Sequence, residues 1–107
     1  MSFDPDKAFD AILRAGEDWA DKQAAADLLE ETRKSVLARL MLEADATTQA
    51  AREMYALAEK QYTDFIEGMV TARKAANKAR VRYDSAKVLA ELRRSQESTR
   101  RAEMSIR

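Results

Sequence analysis

Arg73, Arg80, Lys87, Arg94 and Arg101 recur every seven residues in a stretch without proline. Residues seven apart lie nearly in line on a helix, so these cations form a slowly drifting row. Lys74, Lys78, Arg82, Arg93 and Arg100 accompany them. The chemistry such a row offers is phosphate binding. A rise of about 10 Å per heptad spaces the charges at intervals a flexible single strand can follow. Tyr83 sits in the densest part and offers a stacking face. Arg73, Lys74, Lys78, Arg80, Arg82, Tyr83 and Lys87 are therefore the candidate nucleic-acid-binding residues. The competing reading is a solvated face neutralised by acids elsewhere in the chain, through pairs worth about 0–1 kcal/mol each. In that reading Tyr83 is a core residue whose hydroxyl reaches the surface.

Other chemistries find few residues to carry them. The chain has no cysteine and no histidine. Disulfides, thiolate nucleophiles, imidazole bases and nearly all zinc sites are thereby removed. The aspartate pattern of a calcium loop is missing. Ser95, Ser98 and Thr99 lie among arginines without an activating base. Glu59, Asp64 and Glu67 have the spacing of an ordinary solvated face. No glycine-rich phosphate loop is present. The expectation is a protein that is not an enzyme and uses neither metal nor cofactor. No apolar run has the length of a membrane span, and MSFDPDKAFD lacks the pattern of a signal peptide. A soluble cytoplasmic protein is expected.

The net charge is zero but unevenly spread. Residues 1–45 carry 11 acids and 6 bases, whereas residues 71–107 carry 4 acids and 11 bases. Such asymmetry points to internal pairing or to a polyanionic partner.

The elements that must position these groups are helices. At 107 residues the chain has the size of one modest domain, with two glycines and one proline. Asp4 as N-cap and Pro5 at the first helical position start a helix over residues 5–44. Phe3 is placed to staple onto Ala8 or Phe9. Its apolar stripe is Phe9, Ile12, Trp19, Ala26, Leu29, Val36, Leu37 and Leu40. Gly16 inside it costs about 1 kcal/mol relative to alanine, which points to a bend or a close approach. Asp45 or Thr47 is read as the cap of a short helix over 48–58, with Met54, Leu57 and Tyr55 turned inward. Glu59 to Gln61 is read as a joint or as continuous helix. A long helix follows over 62–104, with fraying after Glu103. Its stripe is Phe65, Met69, Ala72, Ala76, Ala79, Tyr83, Ala86, Leu89 and Leu92.

The expected fold is all-α: a single domain, 1–107, forming a long antiparallel, coiled-coil-like hairpin with the short third helix at the turn. Asp4 to Asp21 would then neighbour Arg93 to Arg101, and Arg73 to Arg82 would lie beside Ser35 to Glu43. Two helices cannot bury both stripes, so a homo-oligomer is expected. Trp19, Leu29, Val36, Leu40, Phe65, Met69, Leu89 and Leu92 are assigned to the core or to the oligomer interface.

The segment Lys78-Ala79-Arg80-Val81-Arg82-Tyr83 resembles the recombination mediator proteins of T-even phages. They too place Lys-Ala-Arg, followed by an aromatic, on a basic alanine-rich helix. Residues 93–103 are similar to the C-terminal helix of small helical phage proteins, some encoded near single-strand annealing genes. The resemblance covers residues 48–104. It implies a small helical oligomer that binds single-stranded DNA and remodels a single-strand-binding protein. It also implies help in loading a recombinase, and a bacterial host cell. By position only the Lys-Ala-Arg contact transfers, onto Lys78 and Arg80. The leading expectation is thus a recombination accessory protein binding single strands non-specifically. The alternatives are a helical adaptor or inhibitor acting by protein contacts, for example against a host defence enzyme, and a structural coiled-coil subunit.

Overall fold

The structure, a computed structural model, describes residues 3–106. They form three helices: α1 (Pro5–Glu43), α2 (Gln49–Ala58) and α3 (Lys60–Ile106). No strand occurs among the described residues. The composition leads here directly, since Ala, Leu, Glu, Lys and Arg are the strongest helix formers.

Local chemistry sets the helix ends. The Asp4 carboxylate accepts from the backbone N–H of Asp6 at 3.0 Å and of Lys7 at 3.4 Å. Two of the four orphan donors of α1 are thereby satisfied. Thr48 caps α2: its backbone is extended and its hydroxyl accepts from Ala51 N–H at 3.2 Å. Neither Asp45 nor Thr47 takes that role, because the helix starts later than the sequence implied. The Arg52 guanidinium reaches back to the Ala46 carbonyl at 2.8 Å and ties down the connection. The joint between α2 and α3 is a single extended residue, Glu59. Its N–H closes α2 on Ala56, and its carbonyl accepts from Tyr62 and Thr63 to open α3. The long helix then continues through Glu103 to Ile106 without a break.

Contacts gather into two compact units. The first combines residues 3–21 of the N-terminal segment with 77–106 of α3, and the second is 22–76. In the first unit α1 and α3 run antiparallel, since Gly16 meets Tyr83, Asp18 meets Arg82 and Trp19 meets Arg80. In the second unit Arg73 of α3 meets Asp27 and Glu30 of α1. As many residues separate Glu30 from the end of α1 as separate Arg73 from the start of α3. The two helices therefore leave the joint level, and α2 reverses the chain without offsetting them.

That register corrects one set of expected neighbours. Arg73 lies against Asp27 and Glu30 rather than Ser35 to Glu43. Asp4 does lie near Arg93 and Arg100, with which it lines one groove, but the ion pairs of Arg94 with Glu91 and of Arg100 and Arg101 with Glu97 are within α3.

The core is thin. Among the described residues the buried apolar ones are Ala26, Leu40, Ala56, Ala76 and Ala79, and no large side chain is fully buried. Trp19, Leu29, Val36, Phe65 and Met69 are half-buried along the facing stripes. Phe9, Leu89 and Leu92 are exposed, so both stripes lose their cover toward the chain ends of the first unit. Met54, Tyr55 and Leu57 also face outward, against expectation. The face α2 turns inward is the one carrying Ala56.

Candidate interaction surface

Two members of the basic heptad row, Arg73 and Arg80, reach α1, whereas Lys87, Arg94 and Arg101 contact residues of their own helix. For the first two the reason is geometric. An apolar stripe at three- and four-residue spacing has edge positions that themselves recur every seven residues, and charges placed there can reach the partner helix. In the second unit Arg73 donates to Glu30 at 2.9 Å and to Asp27 at 2.7 Å. These two carboxylates, Glu30 foremost, hold its guanidinium above the ordinary arginine range. In the first unit Arg82 reaches Asp18 at 3.6 Å. Arg80 lies 5.7 Å over the Trp19 ring and 3.9 Å from Asp84. Lys87 sits 4.5 Å over the Tyr83 ring and 3.8 Å from Asp84.

Trp19 and Tyr83 themselves pack with ring centroids 5.5 Å apart and planes inclined by 32°. The sequence Arg80, Trp19, Tyr83, Lys87 thus forms a ladder of cations and rings. Each cation–ring contact contributes about 0.5–1 kcal/mol at sites this exposed. Tyr83 is half-buried with Trp19 and Lys87 against its ring. It is not offered to a base in this arrangement.

Of the seven candidate nucleic-acid contacts, the structure engages Arg73, Arg80, Arg82, Tyr83 and Lys87 within the chain. Lys74 and Lys78 are the two that are exposed and make no ion pair. They lie one helical turn apart and so share a face of α3. Ser95, Ser98 and Thr99 are exposed on α3, and the Thr99 hydroxyl donates to the Ser95 carbonyl. Among the described residues no acidic cluster could hold a metal ion, and no helix is long and apolar enough to cross a membrane.

Sequence reasoning passed over a groove in the first unit. Its floor is Phe3, Ala8, Ala11, Ala86, Leu89 and Ala90, and its volume is about 590 Å³. Lys7, Arg93 and Arg100 stand on its rim, with Asp4 and Glu97. The sequence signal is the spacing 4-8-11 on α1 and, on α3, positions 90, 93 and 97 added to Ala86 and Leu89 of the main stripe. Alanines occupy much of it, and small residues between long rim side chains leave a depression.

No protein-family model, curated protein or solved structure matches this chain.

Proposed function

We propose that the chain is a helical binding module that acts through contacts with other protein chains, further copies of itself among them. One observation carries this reading. Among the described residues fourteen large apolar side chains are exposed, while the buried core holds five residues, four of them alanine. Scattered exposed apolar residues are ordinary, but here they outnumber the core and recur on helix faces. Val81 and Val88 are 63% and 60% exposed and lie seven residues apart on α3. Met54 and Leu57 share a face of α2.

A second reading, single-stranded DNA binding in a recombination accessory role, keeps one specific support: the unpaired Lys74 and Lys78. Its magnitude separates it from the original expectation. Two neutralised phosphates give a log–log salt slope of roughly −1.4 on a single strand, whereas all six cations of the candidate set give roughly −4.

The test pairs sedimentation over a wide concentration range with anisotropy of a labelled single strand at several salt concentrations. Self-association that is lost in the V81Q/V88Q variant, with a shallow salt slope or no binding, supports the protein-contact reading. A monomer at every concentration that binds DNA with a steep slope overturns it.

A further inference from the structure

The groove of the first unit has a chemistry of its own. Its floor is aliphatic apart from Phe3, and four of its six floor residues are alanine. Its rim is electrostatically biased by which charges are already engaged. Asp4 is committed to the N-terminus of α1 through the Asp6 and Lys7 amides. The Glu97 side chain is only 14% exposed and is held by Arg100 at 3.3 Å and Arg101 at 3.7 Å. Lys7 and Arg93 are exposed and make no ion pair. The rim thus presents two cations without an ion pair, beside a Glu97 already paired with arginines and an Asp4 that accepts from the helix N-terminus.

From Ala86 to Arg100 the groove follows α3 for roughly 20 Å. That matches about six residues of extended chain. A long aliphatic floor with free cations on its edge is complementary to a chain that alternates apolar and acidic side chains. Nucleic acid is less well served by this groove, because only Phe3 offers a ring to stack on and only Lys7 and Arg93 of its cations are without an ion pair.

We infer that this groove receives a short peptide segment of a partner protein in which apolar and carboxylate side chains alternate. Leu89 and the alanines take the apolar side chains, and Lys7 and Arg93 take the carboxylates. This rests on the protein-contact reading above and specifies one partner chemistry for it.

The probe is a fluorescent peptide of about eight residues alternating Leu and Glu, read by anisotropy on the full chain. Comparison peptides replace Glu by Gln or by Lys. Binding of the Leu/Glu peptide that weakens roughly tenfold with Gln, with R93E and with K7E supports the inference. The K74E variant should bind like the parent, and helical content measured by circular dichroism should be equal in all variants. Equal binding of the Leu/Gln peptide, or full binding by R93E and K7E, overturns it. So does displacement by a simple fatty acid at lower concentration than by unlabelled peptide, which would mark a lipid site. Absence of peptide binding in a protein that still self-associates overturns the groove assignment and leaves the protein-contact reading standing. Absence of both, with steep salt-dependent DNA binding, removes the two together.

Discussion

Replacing Gly16 by alanine tests the packing of the first unit at its tightest point. A Cβ at Gly16 would lie 3.1 Å from Cε1 and 3.3 Å from Cδ1 of Tyr83. The ring has little freedom to yield, with Trp19 at 5.5 Å and Lys87 at 4.5 Å against it. Two effects oppose each other. Alanine in a helix interior gains about 1 kcal/mol over glycine. Overpacking a filled site costs about 1–3 kcal/mol. The expected net is between neutral and roughly 2 kcal/mol destabilising. Gly68 supplies the internal control, because nothing lies within 4 Å of its Cβ position. G68A should therefore realise the helix gain of about 1 kcal/mol. The two variants should differ by about 1–3 kcal/mol, read as urea midpoints at constant m. In thermal melts each kcal/mol corresponds to about 4–8 °C for a domain of this size. A third variant closes the argument: in a Y83A background, G16A should become stabilising, as a coupled pair requires. If G16A raises the midpoint as much as G68A in the parent, Tyr83 does not hold the place described.

Two further outcomes are expected. Tyr55 should titrate above the ordinary tyrosine value of about 10, because the Glu59 charge disfavours the phenolate, with burial and Glu43 adding to it. A raised folded pKa means stabilisation that is complete below the unfolded pKa and lost as pH rises through the folded one. E59Q should move the tyrosinate absorbance midpoint down, and an unmoved midpoint would detach Tyr55 from Glu59. R73Q removes bonds to Glu30 and Asp27 on another helix and should lower the urea midpoint. R94Q, whose pair with Glu91 is exposed and lies on its own helix, should change it far less. Equal effects would mean that the bond between α1 and α3 adds nothing to stability.

Much of the helical plan was legible because the signals are local. The Asp4-Pro5 start needs only the chemistry of one turn, and the α3 stripe is read from spacing. Gly16 pointed to a bend or a close approach, and the Tyr83 ring beside it makes it the close approach. The charged row was harder. Its period was plain, but which helix it faced depended on register between segments some 45 residues apart, and no local rule fixes that distance. The single-residue joint at Glu59 set it. Met54, Tyr55 and Leu57 were misplaced for a related reason. The face of a ten-residue helix is decided by the angles of its two connections, and here they turn Ala56 inward. The groove was missed because alanine reads as filler in a sequence and as empty space in a structure.

The position of the row also decides what its charges can do. A base on the back of a helix is free to meet a ligand, whereas one at the edge of a helix seam meets the partner helix first. Arg73 and Arg82 find acids of α1 there and Arg80 finds the Trp19 ring, while Lys87 rests on Tyr83 of its own helix. For any of these four to bind a phosphate, an existing contact must be given up, and the net gain shrinks by that amount. Lys74, Lys78, Lys7 and Arg93 carry no such cost, since none has an ion-pair partner to leave. Among the described residues Arg14, Arg33, Lys34 and Arg39 of α1 are likewise exposed without an ion pair, so the unpaired cations are spread over both long helices rather than gathered in the heptad row. Long-range attraction to a polyanion needs many charges on one surface. Recognition of a single carboxylate beside an apolar side chain needs one cation and a place to bury carbon, and that is the arrangement at Arg93 and Leu89.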